Sequence, residues 1–217
     1  MPFAGRQGYG RDSYHHGNLR EALIAAALRL IAEHGPAGFS FAEVARAADV
    51  SPAAPYRHFR DRNALLAEIA RRGFDGFSAA LEAAWDEGRP DPVTAIEACG
   101  HAYLDFARRE RASYAAMFES DLPISEDPAL LAASERAFSV LRRAADAACR
   151  TMPGATRPPA LMVALHLWSL SHGIASLFVG RADGVARKLP MAPEELLEAG
   201  MLIYLQALGL PRGAGGG

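Results

Sequence analysis

Strand signals are almost absent from this chain, and their absence limits the fold more than any other feature. β-branched residues are scattered, apolar and polar residues show no sustained alternation, and no Asn-Gly or Asp-Gly turn separates two such runs. Helix start and stop signals, in contrast, recur along the chain. We therefore predict an all-α fold.

Capping residues and apolar residues at helical spacing predict about nine helices. The first starts after Asn18, a good N-cap, and ends at Gly35 and Pro36. Ser40, followed three residues later by Glu43, is a capping-box signature for a short second helix. The others are a short helix from Ser51 to near Phe59, a long helix capped by Asp61, a helix that starts at Asp91 and continues through Phe106, a short helix over Arg111 to Ser120, a helix that starts at Asp127 and continues through Leu141, and two last helices from about Arg157 to Val179 and from Pro193 to Leu208.

Composition along the chain predicts four segments. Residues 1–17 read as a flexible arm, 18–62 as a small helical domain, 63–209 as a larger helical domain, and 210–217 as a disordered Gly-rich tail. Charge divides unevenly, because residues 1–72 carry a net +3 and four of the seven histidines, whereas the remainder carries −5. A basic N-terminal third favours an anionic partner such as phosphate, or is an ordinary solvated surface.

Two short helices joined by a tight turn, between Ser40 and Phe59, have the dimensions of a helix-turn-helix. Ala45 supplies the small residue where the helices cross, and Val50 the apolar residue of the turn. Asp49 stands where the turn needs a left-handed residue, which is usually Gly. Two aromatic residues, Tyr56 and Phe59, are expected to anchor the inner face of the second helix.

The segments LREALIAAALRLIAEHG and FSFAEVARAADVSPAAPYRHFRDRNALLAEIA resemble the N-terminal DNA-binding domain of the TetR/AcrR family of bacterial one-component regulators. The match covers residues 14–72 and includes a three-helix arrangement, a Tyr-x-His-Phe ending of the recognition helix, and Arg62 as the basic residue that opens the fourth helix. Asp49 replaces the usual Gly, and Pro55 replaces the usual aliphatic residue. The resemblance implies a DNA-binding domain at 18–62, with base preference left open.

A recognition helix of this kind inserts into the major groove while neighbouring polar groups contact phosphates. The residues that match phosphate-contacting positions of the family are Ser40, Ser51, Tyr56, His58 and Arg62. Ser40 and Ser51 are equally well explained as N-caps, and His58 as a solvated surface histidine. Pro52, Ala53 and Ala54 offer apolar contacts to thymine methyl groups, and Arg57 is the main candidate for a polar contact. The N-terminal arm either follows an adjacent groove or takes no part.

Further along, LHLWSLSHGIASLFVG resembles a C-terminal domain type of this family named for Trp168, His172 and Gly173. The family couples small-molecule binding to DNA release, so the resemblance implies a cavity for an apolar or aromatic effector. Candidate lining residues are Trp85, Tyr103, Phe106, Met117, Phe118, Phe138, Trp168 and His172. Ordinary core packing is the alternative for each of them.

The last two predicted helices are apolar on two faces, and such a helix must be buried on both. One face can serve the protomer's own core and the other a second copy, in the four-helix interface that the family uses. The residues predicted at this dimer interface are Val163, Leu167, Leu170, Ile174, Leu197, Met201 and Tyr204. A two-fold dimer would place two recognition helices ~34 Å apart, which suits a palindromic operator. Burial of both faces within one protomer is the alternative.

These features predict a DNA-binding regulator, and most simply a homodimeric repressor that a small molecule releases from its operator. An activator, or a dimeric small-molecule-binding protein without DNA binding, remains open. No Gly-x-Ser-x-Gly, P-loop, dinucleotide, His-Glu-x-x-His or Cys-x-x-Cys motif occurs, so we expect no enzyme, metal or cofactor. We also expect no membrane span, for want of about 20 consecutive apolar residues, and a cytoplasmic location that suits the two cysteines.

Overall fold

The computed structural model describes residues 15–152, 157–179 and 191–210, and these ranges contain eight α-helices and no strand. The helices are α1 (His15–His34), α2 (Phe41–Ala47), α3 (Arg62–Trp85), α4 (Pro92–Arg109), α5 (Arg111–Phe118), α6 (Pro128–Arg150), α7 (Ala160–Ile174) and α8 (Pro193–Ala207). A π-helical turn, Ala175–Val179, continues α7. The predicted all-α fold is confirmed. Residues 1–14 of the predicted arm and 211–217 of the predicted tail lie outside the described residues.

Side-chain caps start several helices where the sequence predicts them. The Asp61 carboxylate accepts a hydrogen bond from the Ala64 N–H at 2.8 Å, and Asp91 and Asp127 cap α4 and α6 in the same way. The capping box of Ser40 at the start of α2 is also confirmed. Helix α1 differs, because it begins at His15 and therefore not at Asn18. The backbone before Asn18 is already helical, so Asn18 lies inside α1 and is not its N-cap.

The predicted third helix, Ser51 to Phe59, is absent as an α-helix. In its place the structure has a 3₁₀ turn over Pro55–Arg57, which we call the recognition turn. Pro55 has no N–H to donate to the Ser51 carbonyl, and the Ala54 N–H bonds to that carbonyl instead, at 2.9 Å. Two prolines within four residues thus prevent a regular helical ladder. This turn accounts for the difference between the nine helices predicted and the eight observed.

Helix α3 lies at the centre of the described structure. It packs against α1, α4, α5 and α6, and one continuous hydrophobic core extends from Leu23 in α1 through Ile69 and Phe77 in α3 to Leu167 in α7. Because α3 begins at Arg62, only four residues after the recognition turn, it connects the small N-terminal unit to the larger helical body without a long linker.

A cluster of charged side chains fastens α1 to α3. The Glu68 carboxylate in α3 accepts hydrogen bonds from Arg71, from Arg72 and from Arg20 of α1, at 2.7 to 3.1 Å. Burial disfavours the Glu68 carboxylate, but the hydrogen bonds from these arginines outweigh burial and lower its pKa from 4.5 to about 2. Arg72 also bridges to Glu21 at 2.6 Å.

The apolar stretch around α7 corrects the expectation about membrane spans. Residues 158–180 contain no Asp, Glu, Lys or Arg. Within the described ranges, Ala160–Phe178 is the one helix long and apolar enough to cross a membrane. A core helix meets the same criterion, and α7 packs against α4, α6 and α8 with one buried side.

Glu68→Gln is expected to lower the free energy of unfolding by about 1–3 kcal/mol at pH 7, because it removes the one carboxylate that accepts hydrogen bonds from Arg20 of α1 and from Arg71 and Arg72 of α3 together. Since folding lowers the pKa of Glu68, its contribution is present above pH ~4.5 and is lost as the pH falls towards 2. Urea unfolding of wild type and variant at several pH values should therefore show a difference that shrinks between pH 4.5 and 2. The more exposed Glu21→Gln is the matched control, and an equal loss in that variant would contradict the prediction.

Candidate DNA-binding surface and ligand cavity

The turn after α2 has the backbone geometry that the sequence predicts. Asp49 has a φ of +55°, in the left-handed region, and the Val50 N–H donates to the Ala45 carbonyl at 3.0 Å. Ala45 is only 1% exposed, so a larger side chain would not fit there. This turn directs the chain away from α2 towards the recognition turn.

The recognition turn and the residues on either side of it present a small group of side chains to solvent. Tyr56 is 63% exposed and its ring meets the Phe41 ring edge to face, with centroids 5.0 Å apart. Arg57 is exposed, and its guanidinium has no hydrogen-bond or ion-pair partner in the part of the chain that the structure describes. His58 is half-buried, whereas Ser51, Pro52 and Ala53 are exposed. The surface therefore offers one free cation, one phenol and a short apolar stretch.

Tyr56 does not anchor the turn from the inside, so that prediction is wrong. Of the two aromatic residues, Phe59 is the buried one, with 5% exposure, and the Arg20 guanidinium lies over its ring at 5.1 Å. A spacing of three residues places two side chains on one face only where a helix continues through both positions. The recognition turn ends at Arg57, before Phe59, so the spacing does not place Tyr56 and Phe59 on one face.

Arg62, predicted to contact phosphate, is held by the protein itself. Its guanidinium donates to the Phe39 carbonyl at 2.9 Å and to the Pro36 carbonyl, and it lies over the Phe39 ring at 4.6 Å. These contacts tie the start of α3 to the loop between α1 and α2. The observed role of Arg62 is therefore structural, and sequence spacing could not reveal it because the partners are backbone carbonyls distant in sequence.

Two further residues predicted to contact DNA are occupied or buried within the protein, as Arg62 is. Ser40 is exposed, but its hydroxyl donates to the Glu43 carboxylate at 2.8 Å within the capping box. Ala54 is only 7% exposed, so its methyl group cannot reach a base edge in this conformation. The exposed candidates that remain are Ser51, Pro52, Ala53, Tyr56 and Arg57, with His58 partly accessible.

The larger helical body contains an apolar cavity of about 270 Å³. Of the predicted lining residues, Phe118, Phe138 and Trp168 line it. The other residues around it are Phe74, Phe77, Ile124, Ser134, Glu135, Ala137 and Leu141. Helical spacing identified Phe74, Phe77 and Leu141 as residues of apolar helix faces, but it could not show whether such a face lines a cavity or fills the core.

A buried polar cluster lies behind the Trp168 side of the cavity. The Tyr103 hydroxyl is 2.9 Å from Nδ1 of His172, the Tyr114 hydroxyl is 3.1 Å from the same atom, and the Trp168 indole N–H donates to the Tyr103 oxygen at 3.2 Å. Burial lowers the pKa of His172 and raises the pKa of Tyr103 and of Tyr114. Burial thus favours the neutral form of each of these side chains.

The remaining predicted lining residues do not reach the cavity directly. Tyr103 and His172 lie behind its wall, Phe106 packs on Phe77 with ring centroids 5.1 Å apart, and Met117 is buried against Gly73. Trp85 is buried at the C-terminal end of α3. Aromatic and Met side chains fill cores as readily as they line cavities, so residue type alone predicted more cavity-lining residues than the structure has.

A second cleft, more open and about 500 Å³ in volume, lies between the start of α3 and residues 122–130. Two of the charged side chains on its rim, Arg60 and Asp127, already have partners. Arg60 pairs with Asp61 at 2.8 Å, and Asp127 caps α6. The smaller cavity, whose walls are mainly aromatic and aliphatic side chains, is therefore the better candidate for a ligand.

Most of the predicted dimer-interface residues lie on the inner faces of α7 and α8. Five of them are buried in the protomer's own core with 0–5% exposure, and these are Val163, Leu167, Ile174, Leu197 and Met201. Leu170 and Tyr204 are half-buried. The exposed apolar side chains are instead Leu161, Met162, Leu165, Leu177 and Ile203, which we call the outer apolar face. When a helix is apolar on two faces, its sequence does not show which face packs in the protomer's own core.

Two family models match the chain. The model described as "Bacterial regulatory proteins, tetR family" matches residues 23–69, which hold most of α1, α2, the recognition turn and the start of α3. The model described as "Tetracyclin repressor-like, C-terminal domain" matches residues 96–203, which extend from α4 into α8.

Solved structures and a curated relative are similar to the chain. A protein with unknown function from Rhodococcus sp. RHA1 has a TM-score of 0.74 and 31% identity, over 93% of this chain and 100% of that one. PfmR, a TetR family transcriptional regulator from Thermus thermophilus, has a TM-score of 0.67 over 85% and 97% of the two chains, and at 24% identity this shows the fold alone. An uncharacterized HTH-type transcriptional regulator of Haemophilus influenzae is 34% identical over 73 residues, which are 34% of this chain and 39% of that relative.

Asp49→Gly is expected to raise the free energy of unfolding by about 0.5–1 kcal/mol, because Gly adopts the left-handed conformation without a steric penalty. Chemical denaturation of the two proteins measures the difference. Asp121→Gly, at an exposed aspartate outside the left-handed region, is the control and should give no gain. A loss of stability in the Asp49 variant would show that the turn is not strained.

Proposed function

The chain belongs to the TetR family of bacterial regulatory proteins, and on this premise we propose that it represses transcription as a homodimer, which leaves its palindromic operator when a small molecule fills the cavity. The observation that carries the proposal is the free Arg57 guanidinium beside the exposed Tyr56 on the recognition turn. A cation and a phenol on an exposed turn are suited to a phosphate backbone and base edges, and they form no part of the protein's own core. As such a regulator, the protein would act in the cytoplasm.

On the operator, Arg57 would bind a guanine edge or a phosphate in the major groove. The Tyr56 hydroxyl and Ser51 would contact phosphates, with His58 close by, and Pro52 and Ala53 would contact thymine methyl groups. Ser40, Ala54 and Arg62 are not part of this set, because the protein occupies or buries them. Few side chains would read bases, so we expect short and modest sequence preference in each half-site.

The outer apolar face supports dimerisation. Leu161 is 52% exposed, Leu165 40% and Ile203 69%, although all are large apolar side chains. Large exposed apolar side chains on two helices that pack against each other suit a subunit interface. A two-fold dimer through α7 and α8 would present two recognition turns to successive turns of DNA.

Helix α3 supplies a route from the cavity to the DNA. Phe74 and Phe77 line the cavity, and the same helix begins shortly after the recognition turn. The cavity-lining helix α6 also contacts α3 through Arg136 and Asp75, at 2.7 Å. A ligand that favours a shifted α3 would therefore change the spacing of the two recognition turns. Operator affinity could then fall at most by the ratio of the ligand's affinities for the shifted and the DNA-binding conformation.

Selection of bound genomic fragments, followed by gel retardation, tests operator binding. We expect the purified protein to select fragments with an inverted repeat and to bind them less tightly as salt rises. Arg57→Ala should weaken binding about tenfold or more, because a base or phosphate contact by Arg contributes on the order of 1–3 kcal/mol. Arg150→Ala, which removes the same charge at an exposed site at the end of α6, is the matched control and should bind normally. Selection of no DNA at all would support a ligand-binding protein without an operator.

Ile203→Glu is expected to convert the dimer into monomers, since it would place two carboxylates near the two-fold axis of an apolar interface. Sedimentation or light scattering at micromolar concentration measures the molecular mass. Ala83→Glu, at an exposed position of α3, is the control and should remain dimeric. A monomeric wild-type protein, or a dimeric Ile203→Glu variant, would contradict the proposed interface.

A further inference from the structure

The walls of the cavity are mainly aromatic. The Phe118 ring meets the rings of Phe74 and Phe77 edge to face, with centroids 5.5 and 6.4 Å away, and the Phe138 and Trp168 rings lie 5.6 Å apart. Phe118, Phe138 and Trp168 are only half-buried, so parts of their rings are accessible. The face of an aromatic ring carries partial negative charge and attracts cations.

The polar groups around the cavity have no hydrogen left to donate. The Ser134 hydroxyl donates to the Leu131 carbonyl at 2.8 Å, and the Trp168 indole N–H donates to the Tyr103 oxygen. The Ile124 N–H donates to the Leu122 carbonyl at 2.9 Å. The groups that remain for a ligand are acceptors, namely the Ser134 oxygen and the Glu135 carboxylate.

Charge at the cavity has one sign. Glu135 lines the cavity and is exposed to solvent, and its carboxylate has no ion-pair or hydrogen-bond partner in the ranges that the structure describes. No Arg, Lys or His belongs to the described lining. His172, behind the wall, adds no positive charge because burial favours its neutral form.

We propose that the cavity binds a small organic cation, an ammonium or similar group on an aromatic or alkyl body, with its charge between the aromatic rings and the Glu135 carboxylate. This inference rests on the proposed function, since it names the chemical class of the effector. The aromatic walls would take the body of the ligand, and a cation is the one charge state that both the ring faces and the carboxylate attract.

Other ligand classes fit the same walls less well. An anion would approach Glu135 and the ring faces without a free hydrogen-bond donor to compensate for its desolvation. A neutral hydrocarbon would bury apolar area but gain nothing from the carboxylate. The volume of about 270 Å³ lies just below the ~300 Å³ at the lower end of drug-binding pockets, so the ligand is small.

Calorimetric titration with three probes of similar body tests the ligand class. The probes are benzyltrimethylammonium, its neutral isostere neopentylbenzene, and the anion 3-phenylpropanoate. The cation is expected to bind about tenfold or more tightly than either of the others. Equal or tighter binding of the neutral or anionic probe, or no binding of any probe, would overturn the proposal.

Glu135→Gln tests the carboxylate without disturbing the core, because residue 135 is exposed. This variant should weaken binding of the cation about three- to tenfold and leave the neutral probe unchanged. Glu87→Gln, which removes the same charge at an exposed site after α3, is the matched control and should bind the cation like wild type. Unchanged binding of the cation by the Glu135 variant would exclude the carboxylate and with it the proposed ligand class.

The binding position has its own readout, because the chain contains two tryptophans and Trp85 does not line the cavity. In a Trp85→Phe variant the fluorescence comes from Trp168 alone, and the cation should change its intensity or wavelength. An unchanged Trp168 signal at saturation by calorimetry would place the cation elsewhere and overturn the proposal.

Gel retardation of the same sample separates this inference from the proposed function. If the cation binds at Trp168 and Glu135 while operator affinity stays the same, the ligand class stands and ligand-controlled release fails. If the neutral or anionic probe releases the operator and the cation does not, regulation by ligand stands and the ligand class is wrong.

Discussion

Helix α3 is the constraint on which both ends of the structure depend, because one rigid element forms part of each. Its 24 residues extend over about 36 Å, from the Asp61 cap beside the recognition turn to Trp85. Early in the helix Glu68 holds the arginine of α1, and further along Phe74 and Phe77 form part of the cavity wall. A helix buried along most of its length cannot bend freely, so under the proposed function a displacement at the cavity would be carried towards the N-terminal unit.

The segment from Asp49 to the end of the recognition turn shows how tertiary contacts can hold a backbone that lacks regular helical hydrogen bonds. Two prolines remove hydrogen-bond donors and Asp49 adopts a left-handed conformation, and each feature costs free energy on its own. The contacts that compensate come from arginines, with Arg20 over Phe59 and Arg62 over Phe39 and on loop carbonyls. These arginines contribute to the basic charge of the N-terminal third, yet part of that charge serves the fold, and Arg57 is left free for a partner.

Helix α7 serves three environments at once. One side, with Val163 and Leu167, is in the core; Trp168 faces the cavity and donates to Tyr103; and Leu161 and Leu165 are exposed. This division explains why the helix is apolar all round and why its composition passes for a membrane span. The neutral cluster of Tyr103, Tyr114 and His172 anchors the cavity side, since its polar atoms are satisfied within the protein.

The sequence alone determined the all-α fold, most helix ends, the capping box at Ser40, the left-handed Asp49 and the family resemblance, because these depend on local propensity and on residues close together in the chain. Tertiary structure decided the rest. In the packed structure Val163 and Leu197 are buried, whereas Leu165 and Ile203 are exposed. Phe74 and Phe77 line the cavity, whereas Trp85 does not. Helical periodicity gives the position of a side chain around its own axis, but the neighbour that each face meets depends on how the helices pack, which is fixed only when distant segments share one core.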